Sequence, residues 1–247
     1  MPADGSGTPA SQKETSCSDG ENQALADDRS ARRMSSLRSV PDADPQLEDA
    51  SPLRHRLKRE TAGLHRRLEA ELGLLDAELT LDRYRRVLET FLGFYAPVEA
   101  GLAVVAAEGP PLGFPLRRRS ELVERDLLSL GLSRPELAAL PRCVDLPRLS
   151  RPEELAGCLY VLEGACLGGQ MIAPILRERL GVAKDSGASF FVGDAEGTPA
   201  RWTLVLTWLE DLPRTGAPTE AIVGSARATF RSLARWVKRR MAARPHL

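Results

Sequence analysis

The chain has 247 residues, and its 34 basic and 34 acidic side chains give a formal net charge of zero. This balance argues against a nucleic-acid-binding protein. No run of about 18 uninterrupted apolar residues, the length that spans a bilayer, is present. The amino terminus also lacks the basic and apolar regions of a secretory signal. Four cysteines without C-x-x-C spacing favour reduced thiols, so we expect a cytoplasmic protein.

Residues 1–48 are rich in Ser, Gly, Asp, Ala and Pro and contain few large apolar side chains. Such a segment cannot bury enough surface to offset the entropy lost on ordering, so it is predicted to be a disordered tail. The folded domain is then expected over residues 49–247. Abundant Leu, Ala, Arg and Glu with 5% aromatic residues favour helices in that domain.

A first helix is predicted at about 50–72, because apolar residues recur there at three- and four-residue spacing. A long second helix follows Thr80 as its N-cap, and Pro97 is expected to kink it. In the third helix, Ser120 is the predicted cap and Gly131 the end. The buried stripe of the first helix is Leu57, Thr61, Leu64, Leu68 and Leu72.

The fourth strong pattern covers residues 150–181, with Ser150 as its cap, Pro152 in its first turn and Gly181 at its end. No segment alternates apolar and polar residues over strand length. The prediction is therefore an all-α fold, a single domain of six to eight helices. The remaining segments are a loop at 188–200 and helices at about 199–212 and 217–242.

His65 is one of three histidines in the chain, and it borders the apolar stripe of the first helix. Glu69 follows one turn later and Lys58 precedes by two turns, so both lie near the same face. By itself, a histidine in this position is more typical of a core or boundary residue than of a metal ligand.

The second unusual segment is "LEGACLGGQ", which places Gly164, Gly168 and Gly169 inside a helix. Each interior glycine costs about 1 kcal/mol relative to alanine. Their grouping indicates a bend or a close approach to the backbone, and tight helix–helix packing is one explanation. Together with His65, the glycines also suit a flat, metal-containing ring held between two helices, with the iron bound by the imidazole.

These two segments resemble the heme oxygenase family. "LKRETAGLHRRLE" is similar to the proximal helix of that family, and "YVLEGACLGGQ" is similar to its distal helix. The resemblance covers about residues 52–240 and is closest to the bacterial, phytochrome-associated branch. It implies an all-helical fold in which heme lies between the proximal and distal helices.

The resemblance also implies roles for individual residues. His65 would be the axial ligand of the heme iron, and Glu69 would orient its imidazole. Lys58 would bind a heme propionate. Gly164 and Gly168 would line the distal, catalytic side, and Gly169 would complete the glycine segment against heme.

The reaction implied by the resemblance is oxidation of heme to biliverdin with release of iron and carbon monoxide. Heme is then both substrate and cofactor, dioxygen is consumed, and electrons come from ferredoxin or another reductase. A bacteriophytochrome is the biliverdin acceptor that this branch suggests. One position departs from the pattern: Ala165 stands where the best-known members carry an aspartate that orders water.

Several assignments stay open at this point. The second propionate contact could come from Arg201, Arg227 or Arg231, although each reads as an ordinary exposed arginine. Cys166 reads as a small buried residue. The basic residues of the first two helices form either a solvated surface or a docking face for an acidic electron donor. They are Arg66, Arg67, Arg83, Arg85 and Arg86.

Two other functions remain alongside the enzyme. Ala165 favours a protein that binds or senses heme without cleaving it. A helical interaction module without a cofactor would require His65 and the glycines to serve packing alone. Uptake of hemin separates the interaction module from the other two. Loss of the bound heme under reducing conditions separates the enzyme from the protein that only binds it.

Overall fold

The computed structural model describes residues 52–109, 111–193 and 197–242, and over these residues the protein is all-α. The predicted tail and Cys17 lie outside the described residues, so the tail stays a prediction. The helices are α1 (Pro52–Leu72), α2 (Leu81–Glu108), α3 (Arg119–Ser129), α4 (Arg134–Ala139), α5 (Pro152–Leu180), α6 (Ser189–Val192), α7 (Gly197–Asp211) and α8 (Thr219–Ala242), with a 3₁₀ turn at Leu212–Thr215.

Helix α8 is the centre of the fold, because α1, α2 and α5 all pack against it. Gly157 permits the close approach of α5, since a Cβ there would lie 2.4 Å from the carbonyl oxygen of Ile222. Ser225 strengthens the same contact by donating a hydrogen bond of 2.6 Å to the carbonyl oxygen of Glu154. On α2, Thr90 accepts a bond of 2.8 Å from the Trp236 indole nitrogen.

One predicted helix start, at Thr80, and two predicted helix ends, at Gly131 and Gly181, are confirmed. Thr80 caps α2, accepting a hydrogen bond from the Arg83 backbone at 3.2 Å. Gly131 follows α3 with φ +94°, and Gly181 caps α5 with φ +69°, both in the left-handed region that favours glycine. Helix α2 continues through Pro97 as far as Glu108.

The two predicted serine caps are wrong. Ser120 lies inside α3, and its hydroxyl donates to Glu99 rather than accepting from the helix backbone. Ser150 precedes the N-cap residue Arg151 of α5, and its hydroxyl and amide donate to Glu154. In both places a nearby carboxylate competes for the serine, which sequence spacing alone does not reveal.

The loop predicted at 188–200 is also wrong in part. Helix α6 occupies Ser189–Val192, because Asp126 accepts the amide N–H bonds of Ser189 and Phe190 at 2.6 and 2.8 Å. Helix α7 already begins at Gly197. The short helix α4 was not predicted, although Ser133 and Glu136 form the reciprocal capping box that signals it.

Two helices, Leu81–Glu108 and Pro152–Leu180, are long and apolar enough to cross a membrane by length and composition alone. This is weak evidence, because core helices of globular proteins pass the same test. In α5 only 39% of the most apolar window is buried. An apolar helix with so much open surface has a face that is not covered by the rest of the described chain.

Candidate functional site

Helices α1 and α5 come together near their starts, and the turn that follows α1 meets the end of α5. Near the start, the side chain of Tyr160 hydrogen-bonds to Thr61. Near the end, Arg179 donates to the carbonyl oxygens of Leu75, at 3.0 Å, and Asp76. The two helices therefore run side by side in the same direction.

Helical spacing places the predicted site residues between these two points. On α1, His65 and Glu69 follow Thr61 at four-residue intervals. On α5, Gly164 and Gly168 follow Tyr160 at the same intervals. The two rows share the facing sides of the helices, and we call the space that they border the α1–α5 groove.

His65 is held in a definite orientation on this groove. Its Nδ1 atom lies 3.3 Å from the Oε2 atom of Glu69, and its side chain is 41% exposed. The ring of Phe230, on α8, meets the imidazole edge to face at 5.8 Å between ring centroids. With Nδ1 directed at Glu69, Nε2 is the nitrogen that can bind a metal.

Positive charge lies at the Tyr160 end of the groove. Burial raises the pKa of Tyr160, whereas the hydrogen bond with Thr61 and the charges of Lys58 and Arg54 lower it. Lys58 is exposed, so its ammonium group can reach an anionic group at the mouth of the groove.

The three glycines of the fourth predicted helix have different surroundings. A Cβ at Gly164 would lie 3.4 Å from the Cη2 atom and 3.7 Å from the Cζ3 atom of Trp202. A Cβ at Gly168 would meet nothing within 4 Å among the described residues. The space beside Gly168 is open, while the space beside Gly164 already has an indole wall.

Gly169 has a packing role. It is buried on another side of α5, and a Cβ there would lie 2.6 Å from the carbonyl oxygen of Phe191. The glycine is needed because α6 passes so close. This position faces α6, and its predicted contact with heme stays a prediction.

Ala165 is exposed, so α5 presents a methyl group rather than a carboxylate at this position. The preceding carboxylate, Glu163, is buried and bonded to Arg201 through contacts of 2.6 and 3.2 Å. Arg117 lies 3.9 Å from its other oxygen. Glu163 is therefore committed to an ion-pair cluster outside the groove.

The three candidate arginines for a second propionate contact differ sharply. Arg201 is buried, so its description as an ordinary exposed arginine is wrong. Arg227 bonds to Glu60 at 2.9 Å and to Glu220 at 3.1 Å. Arg231 is exposed, follows the Phe230 that contacts His65, and has no carboxylate partner within the described ranges. Arg231 thus has the freest guanidinium of the three.

The basic concentration on α1 and α2 separates into two groups. Arg66 and Arg67 are exposed on α1. The other three make contacts within the chain. Arg83 donates to the carbonyl oxygens of Glu71 and Leu72. Arg85 lies near Asp82 and Glu89, and Arg86 donates to the carbonyl oxygen of Met241. Only the α1 pair retains the geometry of an open docking surface.

Sequence spacing did not identify Trp202, Arg119 or the Glu163–Arg201 pair. Arg119 is buried, hydrogen-bonds to the Cys166 sulfur and lies over the ring of Phe190. Cys166 is buried, as predicted, and burial raises the pKa of its thiol. These residues come together through tertiary contacts across α3, α5, α6 and α7.

The chain is similar to proteins of one known family. Residues 51–239 match the protein family described as Heme oxygenase. The chain is 31% identical over 159 residues to a protein named "Heme oxygenase" from Xanthomonas campestris pv. campestris, an alignment that covers 64% of this chain and 88% of that protein. The chain belongs to the heme oxygenase family.

The residues of this family member fit heme as the substrate. The imidazole of His65 and the open space beside Gly168 belong to the two helices that border the groove, and α5 is an apolar helix whose most apolar window is 39% buried. Two exposed cations are candidates for the acidic groups of heme: Lys58 on α1 and Arg231 on α8. An apolar slot with a few convergent polar groups is the usual form of a cofactor site.

Proposed function

We propose that this protein oxidises heme to biliverdin and releases iron and carbon monoxide, using dioxygen and external electrons. The observation that carries the proposal is the position of His65, whose Nδ1 atom lies 3.3 Å from Oε2 of Glu69, and the open space beside Gly168 on α5 is consistent with it. Membership of the heme oxygenase family supports the same reaction.

His65 would bind the heme iron through Nε2. Glu69, whose Oε2 atom lies 3.3 Å from Nδ1, would accept a hydrogen bond from it and so fix the tautomer and the ring plane. Phe230 limits rotation of the ring from the α8 side. Lys58 and Arg231 would bind the propionates as point and planar cations respectively.

When bound, heme supplies the iron at which reduction and dioxygen activation take place. The residues of α5 control access to that centre. Gly168 leaves room for a small molecule, whereas Trp202 closes the space beside Gly164. Ala165 provides no proton, and Glu163 is held by Arg201, so protons would arrive through water admitted at the exposed Ala165 position.

For the electron donor, we propose an acidic protein such as a ferredoxin that docks at Arg66 and Arg67. Complementary charge accelerates such encounters and makes them dependent on salt. Reversal of both charges to glutamate is expected to slow ferredoxin-driven turnover but not ascorbate-driven turnover. Equal ferredoxin-driven rates for the wild type and the reversed variant would exclude this surface. A bacteriophytochrome as acceptor and a cytoplasmic location belong to the same proposal.

The second candidate is a protein that holds heme without cleaving it. Ala165 favours it, because α5 offers no carboxylate in the groove to order water near the iron. In that case the heme complex would accept ligands but persist under reducing conditions.

One spectroscopic experiment separates the two functions. Purified protein receives one equivalent of hemin and then ascorbate or reduced ferredoxin in air, while the visible spectrum is followed. Loss of the Soret band with growth of a broad red biliverdin band supports the enzyme. A stable ferric or ferrous-oxy spectrum would support the binding protein.

A further inference from the structure

We propose that Trp202 is the specificity-determining wall of the distal space, held there by the Glu163–Arg201 ion pair. The inference rests on the proposed function, because it assigns Gly164 to the distal side of bound heme. It concerns which ligands fit beside the iron, a property that can be measured apart from turnover.

The contact between Trp202 and Gly164 is specific. The indole atoms nearest to Gly164 are Cη2 and Cζ3, at the far end of the six-membered ring. The same ring lies 5.6 Å from that of Tyr160, one turn earlier on α5, and the indole is 8% exposed. Trp202 thus lies along the groove face of α5, where it occupies the space that the missing side chain of Gly164 leaves.

The ion pair fixes the register of this contact. Glu163 and Gly164 are consecutive on α5, and their partners Arg201 and Trp202 are consecutive on α7. Arg201 and Glu163 are both buried, and the guanidinium lies 4.4 Å above the ring of Phe114. Nε and Nη2 of Arg201 both donate to the Oε1 atom of Glu163, so a shift of α7 along α5 would break this buried ion pair.

An indole in this position excludes large groups from one side of the iron and leaves the Gly168 side open. It would therefore admit diatomic ligands and resist longer ones. The Trp202→Phe substitution removes the contacting ring atoms while retaining an apolar aromatic side chain. Trp208, on the same helix and 5.8 Å from Phe114, provides a matched control as Trp208→Phe.

The test uses the full-length chain loaded with hemin and reduced under anaerobic conditions. Affinities for carbon monoxide and n-butyl isocyanide are measured from the visible spectrum. Because a methylene-sized change in an apolar pocket alters discrimination by roughly tenfold or more, Trp202→Phe is expected to favour the isocyanide over carbon monoxide by about tenfold. Trp208→Phe should leave the ratio at its wild-type value.

A wild-type ratio in a Trp202→Phe protein that still binds heme would overturn the wall. Absence of heme binding by the wild type would instead overturn the proposed function, and the wall with it. Arg201→Lys keeps the charge but loses one of the two nitrogens that donate to Glu163, and it should shift the ratio in the same direction as Trp202→Phe. An unchanged ratio in Arg201→Lys would overturn the positioning role of the ion pair.

Discussion

The Nδ1 atom of His65 lies 3.3 Å from the Oε2 atom of Glu69, one helical turn further along α1. This contact explains how a helix rich in charged residues can place an imidazole beside its apolar stripe. Nδ1 faces a carboxylate of the same helix, and Nε2 remains available to a metal outside it.

Replacement of His65 by alanine is expected to remove the axial ligand and with it the wild-type spectrum of the ferric complex. The reason is that the groove then retains its apolar face but loses its metal-binding nitrogen. Hemin titration followed at the Soret band measures the change, and added imidazole should restore the wild-type spectrum. His55, exposed on the same helix, supplies the control as His55→Ala. Wild-type spectra from His65→Ala would place the ligand elsewhere.

Replacement of Glu69 by glutamine should weaken heme binding by about tenfold, the lower end of the effect found for partners of metal-bound histidines. The amide accepts a weaker hydrogen bond than the carboxylate, so the imidazole becomes a poorer donor to iron. The iron–histidine stretching frequency of the ferrous complex should fall. Glu71→Gln, an exposed change on the same helix, should alter neither quantity. Identical iron–histidine frequencies in Glu69→Gln and the wild type would show that Glu69 does not act on the histidine ligand.

The adjacent glycines of α5 should respond oppositely to alanine. Gly168→Ala is expected to stabilise the apo protein by up to about 1 kcal/mol, because the methyl group enters open space and alanine favours the helix. Gly169→Ala should cost about 1–3 kcal/mol, because its Cβ would meet the Phe191 carbonyl. Urea denaturation gives both free energies of unfolding. Heme affinity should fall in Gly168→Ala. If both variants were stabilised, or both destabilised, Gly168 and Gly169 would not lie on different faces of α5.

Asp126 should make stability decrease as pH rises above the ordinary carboxyl range. Burial raises its pKa above the ordinary 3.8, and the N–H bonds from Phe190 and Ser189 offset this only in part. A raised pKa in the folded state contributes stability below pH 3.8 that is lost as pH rises through the folded value. The unfolding free energy of the wild type minus that of Asp126→Asn should therefore decrease as pH rises over that interval.

Asp145, a carboxylate whose pKa is lowered rather than raised, supplies the control for this titration. Arg235 lowers the pKa of Asp145 by a hydrogen bond of 2.8 Å. Its contribution is present above the unfolded pKa and is lost as pH falls through the folded pKa. Asp145→Asn should therefore show the opposite slope, and parallel slopes for the two variants would refute the assignment.

The local features of this chain were predictable because they depend on neighbouring residues. Thr80, Gly131 and Gly181 end or begin helices through bonds within a few residues, and the spacing of His65 and Glu69 is fixed by the helix itself. The all-α fold followed from the same periodicity.

What was missed depends on residues far apart in the chain. Ser120 bonds to Glu99 across two helices, so its preference for capping was overridden. The three glycines look alike in sequence, yet Gly164 meets Trp202, Gly168 meets open space and Gly169 meets Phe191. The burial of Arg201 likewise depends on Glu163, 38 residues away in sequence. Spacing along one helix holds no information about such partners.

The measurement that tests the central claim most directly is the carbon monoxide released per heme. The hemin complex is reduced by ferredoxin in air, carbon monoxide is trapped by ferrous myoglobin, and the pigment is identified by mass. One carbon monoxide and one biliverdin per heme consumed are the predicted result. Bleaching of the Soret band without carbon monoxide, or a complex that persists unchanged, would contradict it.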